Sequence, residues 1–159
     1  MRKTLINPST ENIPAAEPDY LDLEQLARVE ISSECPGYPI ESALAGDAET
    51  GWRAAGPGEQ TIRLVFDQAR TIKHIFLIFD EQEQSRTQEF VLRWRGDGED
   101  FFRDILRQQY HFSPPSAGRE IENYSVDLKQ VKALELRIIP DINGGEARAT
   151  LTRLRLSAR

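Results

Sequence analysis

Apolar and polar residues alternate along most of the chain with a period of two. Val29 and Ile31 are set off by Glu30 and Ser32, and Ile62, Leu64 and Phe66 by Arg63 and Val65. Phe90, Leu92 and Trp94 alternate with Val91 and Arg93, Tyr124, Val126 and Leu128 with Ser125 and Asp127, and Leu134, Leu136 and Ile138 with Glu135 and Arg137. Side chains on a strand point alternately to its two faces, so each run predicts a half-buried strand. From Ile72 both registers turn apolar, His74/Phe76/Ile78 and Ile75/Leu77/Phe79, which predicts a strand covered on both faces. Turn residues separate the runs at Gly56-Pro57-Gly58, Gly96-Asp97-Gly98, Pro114-Pro115 and Asn143-Gly144-Gly145. Many short strands with no long helix predict an all-β antiparallel sandwich.

The two ends depart from this alternation. Residues 1–19 hold Pro8, Pro14 and Pro18 among polar residues and read as an extended arm, leaving 20–159 as one domain. Asp22-Leu23-Glu24-Gln25 has the spacing of a capping box and predicts a short helix with Leu23, Leu26 and Ala27 on one face. One or two turns cannot persist alone, so this helix must dock. In the last strand, about Arg148 to Leu156, Leu151 and Leu154 are three apart but Leu154 and Leu156 two apart. The slip predicts a bulge at Thr152 or Arg153.

A chain of 159 residues suits one domain with a real core, and 39% hydrophobic with 29% charged residues fits a folded globular class. The longest apolar run, Ile75–Phe79, is far short of the roughly 18 residues a spanning helix needs. Polar residues Asn7 to Asn12 stand where the apolar part of a secretory leader would be, so the expectation is a cytoplasmic protein. The single Cys35 excludes an internal disulfide framework. The net charge of −6 argues against nucleic acid. It is unevenly spread: residues 1–51 hold ten acids and three bases, residues 52–159 sixteen acids and seventeen bases. Sixteen of the twenty bases are arginine, whose planar fork suits carboxylate pairing.

Catalytic chemistry finds little support. His74 and His111 lack His, Cys or carboxylate neighbours at ligand spacing, and Cys35 has no nucleophile context. Asp80-Glu81-x-Glu83 and Glu99-Asp100-x-x-x-Asp104 supply carboxylates on loops, where solvated surface is the ordinary role. Arg95-Gly96-Asp97 reads as a hairpin turn.

Ala43-Leu44-Ala45-Gly46-Asp47-Ala48-Glu49-Thr50-Gly51-Trp52 resembles the signature of discoidin, or coagulation-factor type C, domains. Gln60–Asp67, Ile72–Ile75, Glu89–Trp94 followed by Gly96-Asp97-Gly98, and Leu151–Leu156 resemble, in order, the other strands of that family. The resemblance spans about residues 28–157 and implies a jelly-roll sandwich of the galactose-binding type. In many relatives the Gly-Asp-x-x-Thr turn holds calcium with help from a glutamate on the last strand. Arg153 stands at that glutamate's position here, and a cation repels a metal ion. The expectation is therefore a metal-free, cofactor-free turn of Asp47 and Thr50, with Arg153 paired to Asp47; a solvent-facing Arg153 is the bland alternative.

The family also implies where a ligand sits. Loops Glu34–Ser42, Arg53–Gln60 and Asp80–Thr87 should emerge together at one end, offering Tyr38, Arg53, Gln82, Glu83 and Arg86 as ligand-binding candidates. For Tyr38 and Arg86, loop packing and a structural ion pair are equally open. Trp52 is expected in the core beneath the turn. Acidic Asp80–Gln84 disfavours a membrane surface. The resemblance implies a carbohydrate-binding module, with a cytoplasmic protein-interaction domain as the alternative.

Overall fold

The computed structural model describes residues 19–45 and 50–159. The predicted arm, apart from Asp19, lies outside the described residues, as does Asp47.

Among the described residues, eight strands and two single-turn helices follow one another: α1 (Leu23–Leu26), β1 (Ala27–Ile31), α2 (Glu41–Leu44), β2 (Trp52–Pro57), β3 (Gln60–Asp80), β4 (Arg86–Gly96), β5 (Arg103–Phe112), β6 (Arg119–Ile139), β7 (Arg148–Leu151) and β8 (Arg153–Ser157). All strand pairings are antiparallel. One sheet runs β1-β3-β6-β4-β5, with β8 also on β3, and a second joins β2 to β7.

The two long strands turn this one ladder into two layers. Residues 62–66 of β3 pair with β1 and 60–65 with 133–138 of β6; residues 74–78 pair with β8 and 74–80 with 119–125 of β6. Between the halves the register shifts, and Gln130 of β6 takes φ +57°. The inward phase changes there as well. Ile62, Leu64 and Phe66 are buried on even positions, whereas Ile75, Leu77 and Phe79 are buried on odd ones. A period-two strand keeps one phase unless it bends, so the phase change marks the corner at which β3 leaves one layer for the other. Apolar residues of both halves meet in a single core with Trp52, Phe90, Phe112, Leu151, Leu154 and Leu156. The sequence expectation of a β-sandwich with a short N-terminal helix therefore holds, and Trp52 is 1% exposed, as expected of a core residue.

Two local expectations need correction. Asp22 stands at the cap of α1, but its side chain makes no capping hydrogen bond; Leu26 N–H donates to the Asp22 carbonyl instead, and burial of Leu23 holds the turn. Nor is the last strand bulged within one ladder. Leu151 pairs with Trp52, whereas Arg153 pairs with Ile78, so Thr152 is where the chain changes sheets. The Thr152 N–H donates to the Ile78 carbonyl at 2.8 Å and its hydroxyl to Asp80 Oδ2 at 2.6 Å, which fixes the crossing against the end of β3.

Candidate functional site

At one end of the sandwich the β1–β2 connection, the exit of β3, the β3–β4 connection and β7 enclose a cleft of about 300 Å³. Four of the five candidates line it: Tyr38, Arg53, Gln82 and Glu83. Thr50, expected as part of the structural turn, lines it too.

Tyr38 and Arg53 act as a unit. The Cys35 N–H donates to the Arg53 carbonyl at 2.8 Å and the Arg53 N–H to the Tyr38 carbonyl at 3.3 Å, so the loop is stitched to β2. The Arg53 guanidinium then lies over the Tyr38 ring, 4.5 Å from its centroid. Such a contact contributes about 0.5–1 kcal/mol at an exposed site, enough to orient the guanidinium. Arg53 thus covers one face of the Tyr38 ring. Both side chains line the cleft, Arg53 with N–H donors. Arg53 belongs to strand β2, so the second of the three expected loops contributes a strand residue, not its tip.

Arg86 does not reach the cleft surface. Its side chain is 0% exposed, with Nε donating to Glu81 Oε1 at 2.6 Å and Nη1 to the Pro140 carbonyl at 2.7 Å and Gln88 Oε1 at 3.3 Å. Nη2 reaches Thr150 Oγ1 at 3.4 Å, and the guanidinium lies 4.6 Å from the Phe112 ring centroid. A buried guanidinium must have its donors satisfied, and these hydrogen-bond partners come from the β3–β4 connection, β4, the residue after β6 and β7. Arg86 lies beneath the cleft in an ion pair with Glu81. Burial raises the Glu81 pKa, but the Glu83 N–H and the Arg86 guanidinium outweigh it and hold the carboxyl below its ordinary range.

The remaining wall was not anticipated from sequence. Arg119 grips Asp80 with two prongs, Nε to Oδ1 at 2.7 Å and Nη2 to Oδ2 at 3.2 Å, while Thr150 Oγ1 donates to the Asp80 carbonyl at 2.8 Å. Arg119, Thr150 and Thr152 all line the cleft. They lie up to 72 residues from Asp80, so no local spacing could announce them.

Behind the cleft, the polar chain continues inward. Gln88 Nε2 donates to Glu120 Oε1 at 3.0 Å, and Glu120 is 1% exposed. Burial, then the neighbouring Glu122 carboxyl, pushes its pKa up to about 9. Burial likewise raises the pKa of Tyr124, with Glu122 adding to it.

Arg153 sits half-buried in β8, and its Nε is buried with no hydrogen-bond partner among the described residues. Its expected partner, Asp47, lies outside them. His74 hydrogen-bonds the Arg159 carbonyl and the Ser125 hydroxyl, and His111 the Thr87 hydroxyl, which are structural roles. Among the described residues no three His, Cys, Asp or Glu side chains are grouped to hold a metal ion, and no helix is long and apolar enough to cross a membrane.

No protein-family model and no curated protein matches the sequence. Solved structures do match the fold. The family 32 carbohydrate-binding module of Clostridium perfringens NanJ, in complex with galactose, is 12% identical with a TM-score of 0.64, covering 86% of this chain and 96% of that one. A pectin-binding carbohydrate-binding module is 19% identical with a TM-score of 0.58, covering 83% and 90%. An F5/8 type C domain from Bacteroides fragilis is 16% identical with a TM-score of 0.62, covering 86% and 93%. The chain is thus similar in fold to the galactose-binding-like, discoidin-type jelly rolls.

Proposed function

We propose that the chain is a non-catalytic carbohydrate-binding module whose ligand occupies the cleft of Tyr38, Arg53, Gln82 and Glu83. The observation that carries this reading is the convergence of a fixed guanidinium, an exposed amide and an exposed carboxylate on one solvent-open cleft. Sugar hydroxyls both donate and accept hydrogen bonds, so their recognition calls for mixed donors and acceptors on a rigid frame. Arg53 supplies donors, Glu83 acceptors, and Gln82 both. The frame is rigid because Arg86 and the Asp80–Arg119 pair tie the cleft walls together. Solved neighbours that carry galactose or are described as pectin-binding support the ligand class. With one face of the Tyr38 ring covered by Arg53, recognition draws on hydrogen bonds from Arg53, Gln82 and Glu83.

A binding role suits the cleft carboxylates better than hydrolysis. Glycosidases need one carboxyl whose pKa is raised so that it can donate a proton. Glu81 is shifted the opposite way, and Asp80 is engaged by Arg119 and Thr152.

A glycan array followed by calorimetric titration tests the proposal. The chain should bind at least one galactose- or uronate-containing glycan, and Arg53→Ala and Glu83→Ala should each weaken binding about tenfold or more while circular dichroism stays unchanged. Binding indifferent to both changes, or binding to no glycan, overturns it.

A further inference from the structure

The cleft shares lining residues with two further depressions. A cleft of about 190 Å³ shares Arg53, Glu81, Glu83 and Thr150 with it and adds Glu146 and Arg148. A larger and more open cleft of about 650 Å³ shares Asp80, Glu81, Gln82 and Arg119 and adds Tyr110 and the Pro114–Gly118 turn. The three share Glu81 and adjoin along their shared lining residues, a shallow trough at this end of the sandwich.

The larger cleft is built in advance. Ser113 and Ala117 exchange backbone hydrogen bonds at 2.9 Å, the Glu81 N–H donates to the Gly118 carbonyl at 2.8 Å, and the Tyr110 hydroxyl donates to the Arg119 carbonyl at 3.1 Å. A Cβ on Gly118 would lie 2.7 Å from the Glu81 carbonyl oxygen, so this close approach of two cleft-forming loops requires glycine there. The chemistry changes along the trough. Its centre is polar, with Arg53, Gln82 and Glu83, whereas its far end adds the Tyr110 ring and the Pro114–Pro115 surface. A pyranose chain has the same two characters, hydroxyl edges and apolar C–H faces. Charge along the trough is mixed, Arg53 and Arg148 against Glu83 and Glu146, so no strong field selects one sign.

We infer that the trough binds a linear oligosaccharide across several subsites, with one sugar at Arg53 and Glu83 and the chain running over the Asp80–Arg119 pair toward Tyr110 and Pro114. This inference rests on the carbohydrate reading above. An extended ligand lets several weak, shallow contacts together exceed the cost of association, which a single sugar in a small open cleft meets poorly.

Calorimetric titration with two ladders, neutral β-1,4-galactan fragments and oligogalacturonides, each from monosaccharide to hexasaccharide, tests it. In one ladder the hexasaccharide should bind at least about tenfold tighter than the monosaccharide. Ser116→Arg, an exposed change on the 113–118 turn that fills the larger cleft, should remove most of that gain. Affinity independent of length, or a gain that survives Ser116→Arg, overturns the trough while leaving the central cleft intact. Binding to neither ladder overturns the trough, and the carbohydrate reading falls with it only where the array also shows no binding.

Discussion

Two buried charged residues organise this molecule in different ways. Arg86 lies inside, fully buried, with one carboxylate partner and a set of carbonyl and side-chain oxygens beneath the cleft. Glu135 lies on the other face of the β1-β3-β6-β4-β5 layer, also unexposed, and accepts from three arginines: Arg63 at 2.6 Å, Arg137 at 2.9 Å and Arg93 at 3.3 Å. Register explains the second cluster. Glu30, Arg63, Glu135, Arg93 and Asp104 are cross-strand neighbours on five adjacent strands, so acid and base alternate along one row. Phe102, with Arg63 at 5.3 Å and Arg93 at 5.5 Å from its ring centroid, covers the row. One cluster fastens loops to a scaffold. The other fastens strands to one another, and its arginines keep between 24% and 43% of their side chains in water.

That difference in solvation sets the size of the expected effects. Arg86→Ala leaves Glu81 without its guanidinium and a void beside Phe112, and breaking a buried pair in this way costs about 3–5 kcal/mol. The melting temperature should fall further than in Glu135→Gln, Glu120→Gln or Arg53→Ala, with ligand binding lost in parallel as the cleft walls part. Glu135→Gln keeps the side-chain shape and leaves three arginines that water can partly solvate. Its cost should be about 1–3 kcal/mol, read by urea unfolding, with glycan affinity unchanged. A larger loss for Glu135→Gln than for Arg86→Ala would break the comparison.

A third prediction concerns Glu120, the inner end of the Arg86–Gln88 chain. Its folded pKa of about 9 lies above the ordinary 4.5, so the folded state holds a proton that the unfolded chain releases. That contribution is complete below pH 4.5 and is lost as pH rises toward 9, with a slope of at most about 1.4 kcal/mol per pH unit. Urea midpoints taken between pH 5 and 9 should fall with rising pH, and Glu120→Gln should flatten the trend. An unaltered slope in the variant removes Glu120 as the cause.

Smaller still is the effect of Arg53→Ala on stability, within about 0.5 kcal/mol as for an ordinary surface change, against a loss of binding of about tenfold or more. The smallest expected effect is none. The metal-free turn expected from the Arg153 position predicts that the melting temperature in calcium matches that in chelator; a rise of several degrees with calcium would contradict it.

The same contrast shows which parts of the site were legible in the sequence. Period-two alternation is a local signal, and it announced the strands because one face of each packs on the core. It also carried an unread hint. Arg86 and Gln88 lie in the phase of Phe90 and Leu92, and Glu120 in that of Tyr124 and Val126, so all three are aimed inward. Glu135 lies in the opposite phase to Leu134 and Leu136 and points outward, yet is unexposed, because arginines on neighbouring strands close over it. Burial by neighbours cannot be read from one strand. The resemblance to discoidin domains named the loops that bring Tyr38, Arg53, Gln82 and Glu83 together. Arg119 and Thr150 escaped because they come from strands whose places at that end depend on how β3 and β6 bend.

The most direct test of the cleft as the binding site is a map of amide chemical shifts in the full chain during titration with galactose and with an oligogalacturonide. Shift changes should gather at Tyr38, Arg53, Gln82, Glu83 and Thr150, with the amides of Arg63, Arg93 and Glu135 still. Changes gathered on the Glu135 row instead, or none at the cleft at any concentration, would contradict that assignment.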